Sequence, residues 1–140
     1  MTNYRELFAI VRSHHEELKR LATELEDLGV KLGHGDRDTE EQFYSCAENL
    51  AKRYCDHTEF EDELFDQHGQ GLAVHWRSRI DVARVQHRAG RTWIRKLLAA
   101  LIRKEYSVQE LRERGNELAF VARGHMDGGE KWLETLAASE

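Results

Sequence analysis

Four histidines, His15, His57, His87 and His125, each lie on the apolar stripe of a different segment of the chain, and two have a glutamate close behind. Glu61 follows His57 by four residues and Glu130 follows His125 by five. Imidazoles and carboxylates with no thiolate at their level suit iron, manganese or zinc. Carboxylates placed to bridge two ions, with imidazoles as end ligands, point to a dinuclear centre. A single histidine on an apolar stripe is more often a satisfied core residue than a ligand. Four together would need four separate hydrogen-bonding arrangements, and each one left unmade costs roughly 1–3 kcal/mol. An unpaired buried carboxylate costs still more. A shared pair of cations removes all of these penalties at once, so the set is expected to hold metal.

Such a set works only if the chain brings it to one level. Phe8, Val11, His15, Leu18, Leu21, Leu25 and Leu28 recur at three- and four-residue steps, predicting an amphipathic helix over 3–28. The stretch from Gly29 to Arg37 is expected to end it, and Thr39-Glu40-Glu41-Gln42 has the form of a capping box opening the next helix. That second helix carries Phe43, Cys46, Leu50, Tyr54, His57, Glu61 and Leu64 on one stripe and closes at Gly69 and Gly71. A third is expected from about Leu72 to Lys104 through Trp76, Ile80, Ala83, His87, Ile94 and Leu101. Ser107-Val108-Gln109-Glu110 is a second capping box, opening a fourth helix through Leu111, Leu118, Ala122, His125, Trp132 and Leu136.

The expected fold is therefore all-α, an antiparallel up-down-up-down four-helix bundle forming one domain over residues 1–140. Counted from one end of that bundle, the four histidines stand roughly 18, 14, 22 and 18 Å high at 1.5 Å per residue. These heights agree within the error of reading helix ends from sequence. His34, His68 and His75 lie in or beside loops and fail the same test, and His14 is expected to face solvent or to support the ligands from behind.

Composition excludes several other classes of function. The net charge of −5 gives no basic footprint for nucleic acid or anionic lipid, and no apolar run approaches the length of a membrane span. The acids within the N-terminal apolar pattern argue against a signal peptide. Cys46 and Cys55 are nine residues apart on one expected helix, too far along it for a disulfide, so both are expected as thiols of a cytoplasmic protein.

The ferritin-like bundle places a glutamate three residues before a ligand histidine, a spacing absent here. His15 in SHHEELKRL, His57 and Glu61 in CDHTEFEDELF, His87 in VQHRAGRTW, and His125 with Glu130 in GHMDGGEKW instead resemble the hemerythrin-like (HHE cation-binding) family over essentially the whole chain. The resemblance implies a four-helix bundle with a non-haem centre of two iron ions, oxo- or hydroxo-bridged, that binds oxygen or a related small ligand. His15 and His57 would serve one iron, His87 and His125 the other, and Glu61 and Glu130 would bridge them. Manganese or zinc are the expected substitutes. Oxygen carriers of the family have aspartate where Glu130 stands, whereas many bacterial relatives have glutamate. The carriers also have a histidine four residues before the one matching His87. Ala83 stands there and cannot ligate, which implies an extra open position and favours reaction at the metal over simple oxygen carriage. A side chain such as Asp81 or His75 in that position would overturn the point.

Gly128 and Gly129 lie inside the expected fourth helix, where each costs about 1 kcal/mol against alanine. They mark either an early frayed helix end or a local bulge, and the bulge would turn Glu130 back toward His125. Tyr54, one turn before His57, is expected in core packing ahead of a hydrogen bond to a bound ligand. The tryptophans Trp76, Trp93 and Trp132 are expected in the core or at helix contacts, and of the acidic run Glu59, Glu61, Asp62, Glu63 only Glu61 is expected to point inward. Three functions fit. One is a binding or sensing module for O2, peroxide or nitric oxide, with a separate partner protein if it signals. The second is an oxidase-type enzyme acting on ferrous iron, peroxide or nitric oxide, and the third is a structural bundle with adventitious metal.

Overall fold

The computed structural model describes residues 3–103, 106–124 and 131–138. Among them are five α-helices and no strand. The first, α1 (Tyr4–Gly33), starts at Asn3, whose side chain accepts a hydrogen bond from the Glu6 amide at 3.2 Å. It passes its expected end, and Gly29 is a buried residue within the helix and not a stop. It faces Arg112 of a second helix, where an added Cβ would stand in ordinary contact with Cγ at 3.4 Å. The chain turns beyond it, at Gly35, with φ of 88°.

Thr39 precedes α2 (Glu40–His68), but the expected capping box does not form. Thr39 belongs to a 3-10 turn (Arg37–Thr39), and its hydroxyl donates back to the Asp36 carbonyl at 2.7 Å, away from the α2 amides. A second 3-10 turn, Gly69–Gly71, closes α2 as the glycines predict, and α3 (Val74–Ile102) follows. Ser107 caps the next helix: its Oγ accepts from the Glu110 amide at 3.2 Å and donates to the Glu110 carboxylate at 3.1 Å. The expected fourth helix is described as two segments, α4 (Val108–Gly124) and α5 (Lys131–Ala138). His125, Gly128, Gly129 and Glu130 lie outside the described residues.

Helix α1 packs on α2, α4 and α5, and α3 packs on α2 and α4. Partners meet in reverse numerical order. His15 meets Glu61 and Cys46 meets Leu21, while Asp66, Asp62 and Glu59 pair with Arg84, Arg91 and Arg95. Arg123 of α4 reaches Glu26 and Thr23 of α1.

Among the described residues the apolar interior divides into two clusters. The larger is rich in leucine and alanine and draws on α1, α2, α3 and α4, from Leu18 to Leu32, Phe43 to Tyr54, Ile94 to Leu101 and Leu111 to Ala122. The smaller contains Val11, Leu64, Phe65, Leu72, Ile80, Trp132 and Leu133. Trp76 is half-buried against the smaller cluster, whereas Trp93, expected in the core or at a helix contact, is 51% exposed. Its neighbour Ile94 takes the inward position, leaving Trp93 about 100° around the helix. No helix among the described residues is long and apolar enough to cross a membrane.

Candidate metal centre

A polar layer lies between the two clusters, and the order of residues along each helix places it there. On α1, His15 comes after Val11 of the smaller cluster and before Leu18 of the larger. On α2, His57 and Glu61 come after Tyr54 and before Leu64. On α3, His87 comes after Ile80 and before Ile94. Three- and four-residue steps keep each of them on its helix's apolar stripe, so they turn inward with their neighbours. His15, His57, Glu61 and His87 are buried to 3%, 3%, 1% and 2% exposure, deeper than such side chains lie without partners.

Their donor atoms converge on Glu61. Nε2 of His15 lies 3.3 Å from Glu61 Oε1, and Nε2 of His57 contacts the same oxygen. Nε2 of His87 faces the other oxygen, Oε2, at 4.0 Å. The donor atoms of His15, His57 and Glu61 all lie within 4.8 Å of one another. An ion bound at about 2.0–2.2 Å holds neighbouring donors roughly 3–3.5 Å apart, the spacing that His15 and Glu61 already have. This buried group could hold a metal ion.

Behind the imidazoles stands a further set of polar groups. The Nδ1 atoms of His14 and His57 are 3.0 Å apart, so one ring carries the proton and the other accepts it. Burial, followed by the neighbouring His15, holds the His14 pKa below the usual histidine value. Nδ1 of His87 is 2.7 Å from Asp62 Oδ1. Arg91 donates to Asp62 Oδ2 at 3.1 Å and to the Thr58 hydroxyl at 3.0 Å. Thr58 in turn donates to the carbonyls of Tyr54 and Cys55. Burial alone would raise the Asp62 pKa, but the bonds from His87 and Arg91 outweigh it and hold the carboxyl below the usual aspartate value.

Asp62 is thus not the solvated acid expected from its place in an acidic run. The signal that could have found it is Arg91, one turn after His87 on the same helix. Among the other expected residues, Tyr54 is buried as predicted, its hydroxyl filling the space over Gly90, and burial raises its pKa to about 12. His75 and Asp81 are exposed, so neither is drawn into the layer beside Ala83. His34 is exposed at the end of α1, and His68 packs its ring on Tyr4, 5.4 Å between centroids. Cys46 and Cys55 are free thiols, and burial pushes Cys46 up to about 11. A cavity of about 140 Å³ bordered by His14, Glu17, Arg53, Asp56 and Phe60 reaches His57. No family model, curated protein or solved structure matches the chain. The functional reading therefore rests on the layer's own chemistry.

Proposed function

We propose that the polar layer is a dinuclear iron centre of the hemerythrin-like type, open to O2, peroxide or nitric oxide. Its setting is an up-down-up-down antiparallel four-helix bundle in which α4 and α5 together form the fourth member. The observation that carries the reading is the division of labour at Glu61: one oxygen faces His15 and His57, the other faces His87. A carboxylate serving one ion has no need of imidazoles at both oxygens, whereas a bridging carboxylate does.

The order of residues supports the remaining ligands. His125 and Glu130 fall in sequence between Ala122 of the larger cluster and Trp132 of the smaller, the interval that holds the ligands on the other helices. His15 and His57 would end-cap one iron, His87 and His125 the other, with Glu61 and Glu130 between them. A pair of iron ions supplies redox change and coordination positions for a small ligand. The protein supplies a buried layer walled by two apolar clusters, and Ala83 leaves the α3 side without a further imidazole. Manganese or zinc would occupy the same donors when iron is scarce.

Metal analysis of protein made in iron-supplemented cells tests the assignment. Two iron ions per chain are expected, and well below one per chain would leave a structural bundle with adventitious metal. Rapid mixing of the reduced protein with oxygen then separates the functional classes. A long-lived, reversible adduct marks a binding or sensing module, and fast oxidation with turnover of peroxide marks an enzyme.

A further inference from the structure

The two sides of Glu61 are supported by groups of different charge. His57 is backed by another imidazole, His14, whereas His87 is backed by a carboxylate that is itself clamped. We infer that Asp62 is a positioning residue that fixes His87 in its Nδ1–H tautomer and so presents a bare Nε2 to the Glu61 layer. The metal consequence of this inference rests on the reading of the layer as a metal centre.

The argument begins with what the His87 ring can do alone. A neutral imidazole carries one proton on one of two nitrogens, and only the bare nitrogen can take a cation. Asp62 accepts but cannot donate when ionised, so its 2.7 Å contact with Nδ1 requires the proton to be there. The hydrogen bond is charge-assisted and short, stronger than a neutral one. It also feeds electron density into the ring and strengthens Nε2 as a donor.

Asp62 could serve this role only if it were itself held. Arg91 takes its second oxygen at 3.1 Å, and the same guanidinium reaches Thr58, which is anchored to the α2 backbone. The carboxylate is thus fixed at both oxygens by two groups of α3, His87 and Arg91. The ring is held on its face as well. Phe65 stacks on His87 with centroids 5.9 Å apart and planes 13° from parallel, which restricts tumbling but cannot distinguish one nitrogen from the other. Asp62 supplies that distinction.

Two measurements test this, one of them without metal. Long-range nitrogen–proton spectra of the metal-free, 15N-labelled protein at a pH that keeps imidazoles neutral should show His87 protonated at Nδ1. In Asp62→Ala the ring should shift toward the Nε2–H form, and Asp62→Asn, which keeps an accepting oxygen, should retain the original tautomer. Cobalt(II) titration followed by its visible bands should show affinity reduced about 10–100-fold in Asp62→Ala, less in Asp62→Asn. Asp66→Ala removes the Arg84 partner elsewhere between α2 and α3 and should titrate like the unaltered protein.

An Nε2–H proton on His87 in the unaltered protein would overturn the inference. So would an Asp62→Ala protein with unchanged tautomer and unchanged cobalt bands. If the tautomer behaves as stated but the unaltered protein takes up no cobalt, the positioning role stands and the metal-centre reading falls.

Discussion

The larger cluster and the smaller cluster are both apolar, yet they meet the polar layer differently. The larger draws leucines and alanines from four helices and presents Leu18 and Tyr54 to the layer. The smaller is organised around aromatic rings, with Phe65 stacked on His87 and Trp132 5.1 Å from Phe65. Close-packed aliphatic side chains hold the helices together, and flat rings shape the wall beside the imidazoles. Fold stability and site geometry are thereby assigned to different parts of one interior.

The largest stability effect should come from the larger cluster. Leu25→Ala, at a fully buried position, should cost about 2–5 kcal/mol in chemical denaturation, with metal content per folded molecule unchanged. Loss of metal in step with loss of stability would erase the distinction between the clusters. Glu61→Gln should do the reverse. It keeps the side-chain size but removes the charge shared by three imidazoles, so metal affinity should fall further than the roughly 10–100-fold expected for Asp62→Ala. The unfolding midpoint of the metal-free protein should move less than in Leu25→Ala.

Gly90→Ala probes the boundary between the larger cluster and the layer. An added Cβ would overlap the Tyr54 hydroxyl and stand 3.0 Å from its Cζ, so the change should cost about 1–3 kcal/mol. Combining it with Tyr54→Phe should recover part of that loss, since the clash is with the hydroxyl; equal single and double variants would place the strain elsewhere. The smallest stability effect is expected on the aromatic side. Phe65→Leu, which keeps an apolar side chain but loses part of its volume, should cost about 1–2 kcal/mol. It should nevertheless alter the spectrum of a bound metal, because the ring against His87 is gone. An unchanged spectrum would reduce Phe65 to ordinary core packing.

Periodicity made the helices and the inward histidines legible, because a core-facing residue must recur every three or four positions whatever its chemistry. His15, His57, Glu61 and His87 follow from that rule alone. Helix ends were less legible. Gly29 looks like a stop until Arg112 and Phe43 are seen beside it, and Thr39 has the letters of a cap but points its hydroxyl backward. Asp62 was hidden for a different reason. Its role depends on a partner 25 positions away on α3, and no local pattern separates it from the solvated acids around it. Trp93 shows the converse: a large apolar side chain turned outward because its neighbour already fills the inward position.

The tryptophans also make the protein its own optical instrument. Trp132 is 5% exposed and lies one ring away from His87, while Trp93 stands half in water on the flank of its helix. Their emission should therefore differ in colour, blue for the first and red for the second. A paramagnetic ion in the layer would dim the blue component far more than the red, so occupancy could be followed by light without adding a dye or altering a residue.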